Sequence, residues 1–63
     1  MLSSREIIRM LKADGWTQVG VTGDHHHFKH PTKLGKVTVP HPQKDFTKAT
    51  IRSIEKQAGI RLR

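Results

Sequence analysis

The hydrophobic period changes twice along this chain, and no other feature constrains its fold as strongly. From Ile7 to Leu11 the apolar residues cluster at helical spacing. Within Trp16–Val21, His25–Lys29 and Lys36–Val39 the residues read as alternating every second position, and from Ile51 to Ala58 the three- and four-residue spacing returns. A helix presents one face every 3.6 residues and a strand every 2, so neither pattern suits the other element. The predicted order is helix, three strands, helix.

Local signals support these boundaries. Ser3 and Glu6 have the spacing of a capping box, and Leu2 and Ile7 that of a hydrophobic staple around it. Asp14-Gly15 ends the first helix. The first strand covers Trp16 to Val21, with Thr17, Val19 and Val21 expected on one face and Gln18 and Gly20 on the other. Thr22-Gly23-Asp24 reads as a turn. His25 to Lys29 is the second strand and Lys36 to Val39 the third, stopped by Pro40 and Pro42. Thr47 suits the N-cap of the last helix, with Phe46 and Ile51 at staple spacing and Gly59 closing it. A meander with one apolar face needs a cover, which two amphipathic helices supply. The fold class is therefore α+β, a helix–three-stranded antiparallel sheet–helix. The uncovered sheet face carries His25, His27, Lys29, Lys36 and Thr38.

Size and charge narrow the functions. Sixty-three residues predict one domain over 1–63 with a thin core. The chain has no cysteine, which excludes disulfides, thiolate metal sites and cysteine nucleophiles. No apolar stretch approaches a membrane span, and the residues after Met1 lack the apolar core of a signal peptide, so a cytoplasmic location is expected. The net charge of +7 lies wholly in residues 29–63, because basic and acidic side chains cancel before that. Such a patch suits a polyanion, since bound cations release counterions from phosphates, although it also suits a merely solvated surface.

Four of the five histidines fall between His25 and His30. Three chemistries compete for them. A metal site could use His25 and His27, but zinc takes three or four ligands and no third is evident. Acid–base chemistry on RNA needs only a histidine near its neutral titration range, because RNA carries its own nucleophile, the 2′-hydroxyl. Cations would steady the phosphorane: Lys29 and Lys36, with Lys33 and Arg52 as further candidates. Pure RNA binding is the third reading, by stacking and phosphate contacts. His26 and His30 read as ordinary solvated residues. Lys29 and Lys36 also read as guards of an edge against strand pairing. Lys48, Arg52 and Lys56 form a basic helix stripe, and Trp16 a core or edge anchor.

Four segments in order resemble the HicA family of toxins, ribonucleases of bacterial toxin–antitoxin pairs. They are Ile7–Trp16, Gly23–Pro31 with its Gly23-Asp24-His25-His26-His27 centre, Val37–Pro42 and Thr50–Ile60. The resemblance implies a fold like the double-stranded-RNA-binding domain, metal- and cofactor-independent cleavage of mRNA, and growth arrest. It also implies a HicB-type antitoxin in an oligomeric complex. The family's catalytic histidine falls on His25 and its glycine on Gly23. The serine usual between them is Asp24 here. A carboxylate beside His25 would favour the imidazolium and repel phosphate, or would orient the ring.

The mechanism this implies has neutral His25 deprotonating the 2′-hydroxyl, with Lys29 and Lys36 at the phosphorane. The leaving oxygen takes a proton from the imidazolium, His27 or water, and Gly23 lets backbone approach the phosphate. The competing readings are a non-catalytic RNA-binding module and a protein that meets only an acidic partner.

Overall fold

The computed structural model describes residues 2–62; Met1 and Arg63 lie outside the described residues. Helix α1 spans Ser4–Ala13, strands β1, β2 and β3 span Thr17–Thr22, His25–Lys29 and Lys36–Pro40, and helix α2 spans Lys48–Ala58. The strands pair antiparallel in the order β1-β2-β3, so β2 is central. This is the expected α+β order.

Both helices start where their caps place them. Ser3 Oγ accepts the Glu6 N–H at 3.3 Å, and Glu6 Oε1 accepts the Ser3 N–H at 3.1 Å. Leu2 packs against the core cluster that contains Ile7, which is consistent with a staple. Thr47 Oγ1 accepts the Thr50 N–H at 3.2 Å, and Phe46 and Ile51 flank that cap on the core side. Each cap contributes about 1 kcal/mol relative to alanine.

Ile7 and Leu11 of α1 and Ile54 and Ala58 of α2 form one buried cluster with Phe28, Val37 and Val39 from the sheet. Trp16 and Leu62 complete it. Leu62 follows the last helix with no periodic cue, and Glu55 Oε2 holds it by accepting its backbone N–H at 2.8 Å. The helices lie chiefly over β3. Strand β1 is therefore left largely uncovered, with Val19 57% and Val21 55% exposed.

The expected alternation of β1 does not hold. Thr22 pairs with His25, Val21 with His26 and Gly20 with His27, but the register then shifts between Gln18 and Gly20. Val19 is the extra residue of a β-bulge. It reverses the parity, so Thr17 shares a face with Gly20 and Thr22, while Gln18 shares the other with Val21. Thr17, Val19 and Val21 thus do not form one face.

A polar latch fastens the sheet to both helix ends. His30 Nδ1 lies 3.1 Å from the backbone N–H groups of both Thr32 and Lys33. Those groups can only donate, so Nδ1 is the acceptor and Nε2 carries the hydrogen. Nε2 then donates to the Asp14 carbonyl at 2.7 Å. The ring also meets Trp16 edge-on, with centroids 5.3 Å apart. Gly15, at φ +104°, belongs to this arrangement, since a Cβ there would stand 2.8 Å from His30 Nε2. Lys33 Nζ donates to Asp14 Oδ2 at 2.6 Å and to the Ala58 carbonyl at 3.0 Å, which caps the C-terminal end of α2. His30 is a structural residue rather than a solvated one, and Lys33 is committed to the latch rather than to phosphate.

Removing His30 breaks its hydrogen bonds to Asp14, Thr32 and Lys33 and the Trp16 contact together. His30→Ala is expected to lower the unfolding free energy by about 2–3 kcal/mol, read by urea denaturation. Acid acts on the same latch. The Lys33 hydrogen bond holds the Asp14 carboxyl below its ordinary value of 3.8, and the Ser3 backbone and side chain hold Glu6 below its ordinary 4.5. A carboxyl lowered on folding stabilises fully above its unfolded value, and that stability is lost as pH falls through the folded value. Melting temperature should therefore drop below about pH 4, and Asp14→Asn should shallow that drop while lowering stability at neutral pH.

Candidate active site

The turn before β2 aims the site. Gly23 has φ +60° and Asp24 does not take a positive φ, the combination used by a two-residue type II′ hairpin. Thr22 and His25 close that hairpin as direct cross-strand partners. The turn is also held from the residue after β3, because the Asp24 carbonyl accepts the His41 N–H at 2.7 Å. His25 therefore starts the central strand at a rigid corner. A Cβ built on Gly23 meets nothing within 4 Å, so the corner is open to solvent.

Register fixes what shares the uncovered face with His25. His27 pairs with Thr38 and Lys29 with Lys36, while the intervening Phe28 and Val37 are buried on the other side. The structure thus brings His25, His27, Lys29 and Lys36 onto one face, as the alternation requires. It does not bring them to one point. At about 3.3 Å per residue, Lys29 stands about 13 Å along the strand from His25. Lys29 and Lys36 face each other directly at that far end. Two like charges in such a pair repel, and an anion between them relieves the repulsion.

His25 is exposed, with 58% of its side chain accessible, and its Nε2 lies 3.9 Å from Asp24 Oδ1. That separation is too long for a hydrogen bond, so Asp24 does not orient the ring. It leaves a negative charge at the rim of the site.

His27 has both ring nitrogens engaged. Nδ1 pairs with Thr38 Oγ1 at 3.0 Å and Nε2 with Thr22 Oγ1 at 3.2 Å. The ring leans diagonally toward Thr22 across Gly20, which is its direct partner on β1 and has no side chain to obstruct it. Alternation alone finds Thr38 on this face. Thr22 is read from sequence as a turn residue, and only the register places it here.

The remaining histidines and cations lie elsewhere. His26 projects from the covered side of β2, where Nδ1 pairs with Gln18 Nε2 at 2.8 Å and the ring meets His41 edge-on at 5.0 Å. His41 Nδ1 pairs with the buried Ser4 hydroxyl at 2.7 Å, and that hydroxyl accepts the Gln43 N–H at 2.9 Å. These contacts fasten the loop after β3 to the start of α1. Arg52 is exposed on α2, in the helix layer behind the sheet. Among the described residues no three histidine or carboxylate side chains converge on a point where they could hold a metal ion. No helix among them is long and apolar enough to cross a membrane.

Comparison with known proteins agrees with this architecture. Residues 4–60 match the family described as HicA toxin of bacterial toxin-antitoxin. A chain of a HicA3 and HicB3 toxin-antitoxin complex superposes with a TM-score of 0.84 at 33% identity, over 98% of this chain and 100% of that one. A chain of a toxin-antitoxin complex from Streptococcus pneumoniae superposes with a TM-score of 0.77 at 28% identity, over 95% of this chain and 100% of that one. No curated protein matched. The fold is that of the HicA toxins, double-stranded-RNA-binding-domain-like, and the chain belongs to the HicA toxin family.

Proposed function

We propose that the chain is an endoribonuclease toxin that cleaves mRNA without a metal or other cofactor, acts in the cytoplasm to arrest growth, and is neutralised by a HicB-type antitoxin. The placement of His25 carries this reading. It is an exposed imidazole at a rigid corner of an open sheet face whose other end presents two facing lysines. The two similar solved chains come from toxin–antitoxin complexes, which supports a protein antitoxin as the partner.

In this mechanism neutral His25 takes the proton of a ribose 2′-hydroxyl. The freed O2′ bonds to the adjacent phosphorus, and the P–O5′ bond breaks. The departing O5′ takes a proton from the His25 imidazolium or from water. One fragment ends in a 2′,3′-cyclic phosphate, which water opens to a 3′-phosphate, and the other begins with a 5′-hydroxyl. His27 is ill suited as the acid because both its nitrogens are engaged. Lys29 and Lys36 lie too far along the strand to reach the same phosphate, so their part is to hold a neighbouring one. The bare backbone at Gly23 gives the scissile phosphate a close approach.

His25→Ala should lower cleavage of a synthetic RNA on the order of a hundredfold or more without changing the melting temperature. A variant that cuts at the parental rate would end the proposal. Fragment release should survive EDTA; loss on chelation with recovery on added zinc would replace this mechanism by a metal-dependent one. RNA retardation on a gel without fragments would favour a binding module instead. Asp24→Ser removes a negative charge at the rim of the site, which would repel a phosphate about 4 Å away by about 1 kcal/mol in water. That variant should cleave about fivefold faster at low salt, and the gain should shrink as salt is raised.

A further inference from the structure

We propose that Thr22 contacts the scissile phosphate as a hydrogen-bond donor, and that His27 and Thr38 are positioning residues that aim its hydroxyl proton. The proposal rests on the ribonuclease reading above and extends it to a residue in the turn-closing pair.

The geometry is a chain of three groups across the sheet. Thr38 Oγ1 lies 3.0 Å from His27 Nδ1, and His27 Nε2 lies 3.2 Å from Thr22 Oγ1. A neutral imidazole carries one N–H and one acceptor nitrogen, so the chain runs in one of two directions. In the first, Thr38 donates to Nδ1, Nε2–H donates to Thr22, and the Thr22 proton is left free. In the second, Thr22 donates to Nε2, Nδ1–H donates to Thr38, and the Thr38 proton is left free.

Two observations select the first direction. Thr22 is exposed and Thr38 half-buried, so a free proton finds water as an acceptor at Thr22 more readily than at Thr38. Thr22 is also the direct cross-strand partner of His25 and on the same face, with Cα atoms about 5.5 Å apart in such a pair. A phosphate placed for attack under His25 therefore meets the Thr22 hydroxyl. An anion favours the direction that offers it a donor, and each bond in an aligned chain polarises the next. Thr22 then donates to a non-bridging phosphate oxygen whose charge grows in the phosphorane, with no proton transferred. This supplies at the reacting phosphate the donor that Lys29 and Lys36 are too distant to give.

The test is a cleavage assay on a synthetic oligoribonucleotide with the parent, His25→Ala, Thr22→Val, Thr22→Ser and Thr38→Val, joined to 15N NMR of the His27 ring in its neutral form. Thr22→Val keeps the branched shape and removes the hydroxyl. It should lower kcat by about tenfold or more with KM little changed, and Thr22→Ser should recover most of that rate. The parent His27 should carry its hydrogen on Nε2. Thr38→Val removes the donor to Nδ1 and should move that hydrogen toward Nδ1, with a fall in kcat. Parental activity in Thr22→Val, or a hydrogen resident on Nδ1 in the parent, would overturn the Thr22 assignment while leaving the role of His25 standing. Equal losses in the valine and serine variants, matched by lower melting temperatures, would reduce Thr22 to a structural part and overturn it as well. A parent that releases no fragments would overturn the ribonuclease reading first, and the Thr22 assignment with it.

Discussion

Phe28 sets the direction of every side chain on the central strand. It is fully buried between the sheet and the two helices. Strand geometry then leaves no choice for its neighbours: Lys29 and His27 must point away, His26 must point inward, and His25 must point out. A slip of one residue would bury three polar side chains and expose the ring of Phe28. The site is therefore specified by the core. Val37 and Val39 impose the same rule on β3, which is why Lys36 and Thr38 join the histidines on the open face.

A core this small needs help at its edges, and polar groups give it. The latch of His30, Asp14 and Lys33 joins the C-terminal ends of both helices to the loop after β2. Ser4 and His41 join the start of α1 to the loop after β3. The histidines are thus one residue type in three uses. His30 and His41 are fasteners, His26 packs at the margin, and His25 and His27 face solvent. Composition shows only that they are many.

The elements were legible because each rests on a local cause. Capping residues, staples, a turn glycine and a hydrophobic period all act within a few positions, so they show in a linear reading. The face occupied by His25, His27, Lys29 and Lys36 was legible for the same reason. What was hidden arises between segments. The bulge at Val19 inserts one residue into an otherwise regular alternation, and only pairing with β2 reveals which residue is extra. Lys33 looks like any loop lysine until the end of α2 arrives beside it. Leu62 follows Gly59 with no period to mark it as core. The distance between His25 and the lysine pair follows from strand rise. Even so, a shared face is easily mistaken for a shared point.

That distance changes what the chemistry can rely on. An enzyme with a deep cleft gains from low dielectric, where each fixed charge acts strongly. In the proposed ribonuclease an open sheet face would keep water over the reacting phosphate, so a lysine about 13 Å away along the strand (about 3.3 Å per residue) would be heavily screened. Under those conditions aligned short-range groups outweigh distant charges. In the proposed reaction a histidine at a rigid corner and a hydroxyl opposite it on the neighbouring strand would meet that requirement, and the lysine pair would be left to a neighbouring phosphate. The same openness would make Asp24 tolerable, because water would screen its repulsion of a phosphate about 4 Å away to about 1 kcal/mol. In a buried site the same carboxylate beside the same imidazole would dominate the electrostatics. On this surface it would only modulate the proposed reaction, whose geometry rests on Phe28 and on the turn at Gly23.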